Sequence, residues 1–100
     1  LIRIETAWYL YLIKCGDGSI YTGITTNVER RFEEHSSSGK KAARYLRGRG
    51  PLKLVFKEQV GDKGSALKLE YRIKQLPRSQ KQELIDGKLK LKDLQDKSKA

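Results

Sequence analysis

The sequence predicts an α+β fold, with a small three-stranded, largely antiparallel sheet flanked by helices. Two short runs rich in apolar, aromatic and β-branched residues, Trp8 to Cys15 and Ile20 to Thr25, bracket an Asp-Gly turn and read as a hairpin. Segments with a helical rhythm follow from Val28 onward. With 100 residues, 37% of them hydrophobic and 34% charged, the chain is long enough for one core and too short for two.

In the hairpin, the turn length decides which side chains meet. A strict two-residue turn at Asp17-Gly18 pairs Lys14 with Tyr21 and sets Tyr11 and Tyr21 on opposite faces. A three-residue loop, Gly16 to Gly18 with Gly18 left-handed, pairs Ile13 with Tyr21 and gathers Tyr9, Tyr11, Tyr21 and Gly23 on one face. The sequence permits both. Asn27 is an N-cap for a helix over Val28 to Ser36, where Val28, Arg31, Phe32 and His35 share a face and carry two cationic side-chain types onto the inward stripe.

That helix should fail in Ser36-Ser37-Ser38-Gly39. Lys40 to Arg47 is read as a short second helix ended by Gly48 and Gly50-Pro51, and Leu52 to Val60 as a strand with loose alternation. A helix over Ser65 to Leu76, stopped by Pro77, buries Ala66, Leu69, Ile73 and Leu76, with Glu70 beside that stripe, about 40° from Ala66. A helix from Arg78 to Ile85 ends at Gly87, and Leu89 to Leu94 is expected as a short docked element before a basic tail. Residues 1–7 form an N-terminal lead, 8–86 the domain, and 87–100 the C-terminal element and tail.

Charge narrows the function. With 22 Lys+Arg against 12 Asp+Glu the net charge is +10, an excess that draws polyanions, most simply nucleic acid. From Lys40 to Lys57 the basic residues Lys40, Lys41, Arg44, Arg47, Arg49, Lys53 and Lys57 are unbroken by any acid. A solvated face usually mixes both signs, so this run is read as a phosphate-binding stripe. One Cys supplies neither a disulfide framework nor a zinc site, and Cys15 reads as a small buried hydrophobe. No run approaches the roughly 20 apolar residues of a membrane span, so the expected location is the cytoplasm, with nucleoid association when bound to DNA.

Tyr9-Leu10-Tyr11, then Tyr21-Thr22-Gly23, Arg31, His35 and later Glu70, in that order and spacing, resemble the GIY-YIG nuclease family. The stretches Tyr21 to Thr25, Asn27 to His35, Gly48 to Pro51 and Leu69 to Tyr71 are similar to its small stand-alone bacterial members of the YhbQ type. They are less similar to the nuclease domain of Slx1-type structure-specific endonucleases. The resemblance spans roughly residues 8 to 86.

It implies divalent-metal-dependent phosphodiester hydrolysis of DNA, by an endonuclease or exonuclease, in repair or processing. It assigns Tyr21 to the attacking water, Arg31 to phosphate, and Glu70 to Mg²⁺ or Mn²⁺. Tyr11 matches the first motif's tyrosine and Tyr9 stands at its glycine position. The lysine that follows the second motif's glycine in excision-repair members is Ile24 here, so lysine-assisted activation of Tyr21 is absent. His35 either orients Tyr21 or a phosphate, or is a satisfied buried histidine.

These roles suit the residue types. Arg offers bidentate donors, and a carboxylate is a hard ligand for Mg²⁺ whose remaining positions water and substrate phosphate complete. A tyrosine, with a reference pKa of about 10, works better as a base in alkaline solution, so activity should rise with pH. DNA is the expected partner and RNA the alternative, since phosphate contacts carry little base information. The competing functions are a non-catalytic DNA- or RNA-binding module and an RNA-processing nuclease. No protein partner or membrane is implied.

Overall fold

The computed structural model describes residues 7–37 and 42–96, in the order β1 (Trp8–Lys14), β2 (Ile20–Thr25), α1 (Val28–Ser36), a 3-10 turn (Arg44–Leu46), β3 (Lys53–Gly61), α2 (Lys63–Lys74), α3 (Arg78–Ile85) and α4 (Leu91–Asp96). The three strands form one antiparallel sheet in the order β2-β1-β3, so the expected α+β arrangement holds.

The hairpin takes the three-residue loop. Ile13 pairs with Tyr21 and Tyr11 with Gly23. The Cys15 N–H donates to Ser19 O at 2.9 Å, and Gly18 closes the loop at φ +87, where an L side chain is strained. This register puts Tyr9, Tyr11, Ile13 and Tyr21 on one face and Leu10, Leu12 and Ile20 on the other. The second face is the larger core. Leu69 and Ile73 of α2, Leu84 of α3, and Leu91 and Leu94 of α4 close over it. The first face is covered by Val28 and Phe32 of α1 and by Leu46 of the 3-10 turn.

Element bounds agree closely at α1, where Asn27 Oδ1 accepts from the Arg30 N–H at 3.1 Å, and at α3. α2 begins earlier than expected because Asp62 caps it, accepting from the Ser65 N–H at 2.8 Å. α4 begins at Leu91, two residues later than the expected docked element, and buries Leu91 and Leu94.

The second helix expected over Lys40 to Arg47 is corrected. Its described part is a single 3-10 turn, Arg44–Leu46. Buried Leu46 pins the turn in the core while Arg49 O accepts from the Gly16 N–H at 2.6 Å, so the chain is drawn onto the hairpin tip before another turn can form. One such turn fixes several dihedrals for few hydrogen bonds and is held by this packing. The loose alternation of β3 also has a cause. Its pairing with β1 shifts between Trp8 and Tyr9 and again between Leu12 and Ile13, so β3 carries an extra residue at each bulge.

Candidate active site

On the face that carries Tyr9, Tyr11 and Tyr21, one turn of α1 brings Arg31 and His35 over the strands. Tyr11 is 2% and His35 2% exposed, and Tyr11 Oη lies 2.9 Å from His35 Nε2. On its other side the imidazole accepts, at Nδ1, from the Ala43 backbone N–H at 3.1 Å. A backbone N–H cannot accept, so Nδ1 is the lone-pair nitrogen and the proton sits on Nε2, which donates to Tyr11 Oη. Burial, with the Arg31 charge second, holds the imidazole down at about 4, so it is neutral at physiological pH. Burial likewise pushes the Tyr11 phenol well above its ordinary value, with neighbouring Tyr21 adding to the rise and Arg31 opposing it. Tyr11 therefore stays a neutral phenol whose oxygen is occupied by the histidine, leaving its own proton to donate.

Tyr21 is the half-buried member of the group. Its ring centroid lies 6.3 Å from that of Tyr11 and 5.6 Å, edge-on, from that of His35. Arg31 is half-buried, pairs with Glu34 at 2.9 Å, and is coupled electrostatically to both tyrosines. Gly23 makes room for all this, since a Cβ there would fall on the Tyr11 ring, 2.5 Å from Cζ and closer to Oη.

The sequence reading missed Tyr45 and Asp17. Tyr45 is 43% exposed, and its ring lies 5.8 Å from that of Tyr21 at an interplanar angle of 31°. Arg49 covers Tyr45, with its guanidinium carbon 4.2 Å from the ring centroid, and the same guanidinium pairs with Asp17 Oδ2 at 2.5 Å. Asp17 Oδ1 accepts from the Ser19 hydroxyl at 2.6 Å and the Ser19 N–H at 3.0 Å. Those bonds, with Arg49, hold its carboxyl at about 2. Arg49, expected on the phosphate-binding stripe, thus clamps the 3-10 segment to the hairpin tip and covers Tyr45, the ring beside Tyr21. A tyrosine two residues past an alanine pair carries no sequence signal for such a contact.

The remaining candidates are dispersed. Tyr9 packs against the same cluster but borders a cavity of about 240 Å³ with Thr26, Asn27, Val28, Glu29 and Lys57 at the start of α1, where Lys57 pairs with Glu29 at 2.6 Å. Arg44, Arg47 and Lys53 are exposed. Lys40 and Lys41 lie outside the described residues.

Glu70 sits on α2, which lies against the Leu10, Leu12 and Ile20 side, held there by Leu69 and Ile73, and packs against edge strand β2. Its carboxylate meets Lys74 Nζ at 3.4 Å and its side chain is 20% exposed. Among the described residues no three His, Cys, Asp or Glu side chains gather as a metal site. A single accessible carboxylate still fits a hydrated Mg²⁺ or Mn²⁺ that takes its other ligands from water and phosphate. No helix among the described residues is long and apolar enough to cross a membrane.

Comparison with known proteins agrees with this architecture. Residues 7–83 match the GIY-YIG catalytic domain. The chain is 54% identical over 80 residues to the UPF0213 protein YhbQ of Escherichia coli and, equally, to that of Salmonella typhimurium, an overlap of 80% of this chain and 78% of theirs. Two solution structures are similar: UPF0213 protein BH0048 from Bacillus halodurans, at 44% identity and TM-score 0.52 over 82% of this chain and 85% of that one, and EF2693 from E. faecalis, at 34% and 0.58 over 86% and 90%. With the ordered tyrosine, arginine and histidine motifs assembled on one face of the sheet and the domain match covering most of its length, the chain belongs to the GIY-YIG family and has its nuclease-type fold.

Proposed function

We propose that this chain is a divalent-metal-dependent nuclease that hydrolyses phosphodiester bonds of DNA, in repair or processing. The observation that carries the reading is the directed hydrogen-bond chain from the Ala43 N–H through neutral His35 to Tyr11, next to Tyr21 and Arg31. The backbone amide fixes the tautomer, so His35 can only donate to Tyr11, and Tyr11 directs its own proton toward its neighbour Tyr21. Tyr21, half-buried where the other two are enclosed, is the member of the set able to meet a water and, as the phenolate once its own proton has passed to solvent, take that water's proton as it attacks phosphorus. Arg31 supplies fixed positive charge where the equatorial oxygens gain negative charge.

Glu70 would hold Mg²⁺ or Mn²⁺, which when bound supplies Lewis-acid stabilisation of the leaving oxygen. The exposed Arg44, Arg47 and Lys53 would bind flanking phosphates, and Arg49 would add charge at the site's edge. RNA presents the same phosphates, so an RNA-processing role uses the same residues. The second reading is a non-catalytic nucleic-acid-binding module, favoured by Glu70 standing without a second carboxylate, His or Cys gathered beside it as a metal site among the described residues.

Metal titration separates the two. A nuclease cuts a labelled DNA or RNA substrate with Mg²⁺ or Mn²⁺, stops on chelation, and loses activity severely in Glu70→Ala, with partial recovery at high metal. Parent-like cleavage by Glu70→Ala at limiting metal removes Glu70 from the site. Tight binding without cleavage on any substrate geometry selects the binding module.

A further inference from the structure

The outer side of α2 carries two exposed large hydrophobic residues, Tyr71 at 69% and Leu67 at 47%. They are i,i+4 neighbours and so form one continuous spot on the helix. Isolated exposed apolar residues are ordinary, but these sit in a defined setting. At 100° per residue Lys63, Leu67, Tyr71 and Lys74 make one stripe, with Glu70 on its flank. The helix carries Lys63, Lys68, Arg72 and Lys74 against the single acid Glu70. Its opposite side, Ala66, Leu69 and Ile73, is buried in the core, and Tyr71 lies outside that core.

We propose that Tyr71 is a stacking platform for an unpaired nucleobase of the bound strand, extended by Leu67, with exposed Lys68 beside it and Lys63, whose Nζ lies 5.5 Å from the Trp8 ring centroid, contacting phosphates, while Lys74 stays paired with Glu70. The proposal rests on the nucleic-acid reading above and deepens it, because it names the substrate class. An aromatic ring can stack only on a base whose face is free. Inside a duplex both faces are covered, so the strand must be single-stranded next to Glu70. Charge complementarity selects nucleic acid as the occupant. Exposed Lys63 and Lys68 flanking a two-residue apolar spot suit a polyanion, and lysine is depleted from protein–protein interfaces. Stacking on aromatic side chains tolerates any sequence, as expected of a contact with no base-edge reader beside it.

The test uses single-stranded oligonucleotides in which 2-aminopurine is moved one position at a time, with chelator present so that no cleavage intervenes. Affinity and fluorescence quenching are read for the parent, Tyr71→Phe and Tyr71→Ala, alongside affinity for a blunt duplex. The expected result is strong quenching at one or two positions. Tyr71→Ala abolishes it and weakens single-strand binding roughly 5- to 100-fold, the effect of removing one base stack. Tyr71→Phe keeps both, and duplex affinity is the same in all three proteins. Parent-like single-strand affinity in Tyr71→Ala overturns this inference and leaves the proposed function standing. So does parent self-association, seen by sedimentation and abolished in Tyr71→Ala, if single-strand affinity is unchanged, because the face then belongs to a second copy of the chain. A parent that binds neither single strand nor duplex overturns the proposed function itself.

Discussion

Lowering the pH from 7 to 5 should weaken the fold through one residue, His35. It is the sole histidine of the chain, is 2% exposed, and is held neutral with its value at about 4. In the unfolded chain it titrates near the ordinary 6.5. The folded value lies below the unfolded one, so between them the unfolded state binds a proton that the folded state refuses, and stability falls as pH falls. Each pH unit inside the window is worth about 1.4 kcal/mol, so about 2 kcal/mol is lost by pH 5 and about 3 kcal/mol by pH 4, with none of it lost above pH 7.

Two measurements check this. The single imidazole signal in a proton NMR titration should stay in its neutral position well below pH 6. Urea unfolding of the parent and of His35→Gln, at pH 7 and pH 5, should show the parent losing about 2 kcal/mol more than the variant, because the carboxylate contributions common to both cancel. An NMR midpoint near 6.5, or equal pH dependence in the two proteins, would refute the reasoning that places a neutral His35 between Ala43 and Tyr11.

Three further outcomes follow from the same geometry. Gly23→Ala places a methyl on the Tyr11 ring, and should cost about 1–3 kcal/mol in thermal unfolding and roughly a hundredfold in cleavage rate, with the His35 titration moving toward its ordinary value. Tyr45→Ala removes the support behind Tyr21, and should lower kcat about tenfold with KM little changed, whereas Tyr45→Phe should match the parent; a change in KM alone would make Tyr45 a substrate-binding residue. Binding should weaken steeply with salt, and Arg44→Ala with Lys53→Ala should lower the slope of log K against log salt by about 0.9 for each duplex phosphate no longer neutralised, uniformly across sequences. A flat salt titration would make the stripe a solubilising surface.

The sequence was most informative where one local choice decides a whole face. Gly16-Asp17-Gly18 admits two loops, but only the three-residue loop sets Tyr11 opposite Gly23, and the tyrosine cluster follows from that register. α1 was legible to the residue because Asn27, the apolar spacing and the serine run all agree. The tautomer of His35 was not, since it depends on a backbone amide eight residues away in a segment whose path no periodicity fixes. The Asp17–Arg49–Tyr45 clamp was hidden for a similar reason: an unbroken basic run reads as a stripe, and the acid that engages Arg49 lies 32 residues earlier. Glu70 was placed correctly beside its helix's buried stripe, but a helical wheel does not tell which face of the sheet the helix covers.

The central claim is that Tyr21, presented by Tyr11 and His35, handles the water that cleaves the phosphodiester, and Tyr21→Phe tests it most directly. The substitution removes one oxygen from a half-buried ring and leaves its packing on Tyr11, His35 and Tyr45 in place. With Mg²⁺ or Mn²⁺ and a substrate the parent cleaves, single-turnover cleavage by Tyr21→Phe should fall by roughly 10²–10⁴-fold, with unfolding midpoint and nucleic-acid affinity unchanged. Parent-like cleavage by Tyr21→Phe, with the metal requirement intact, would contradict the account.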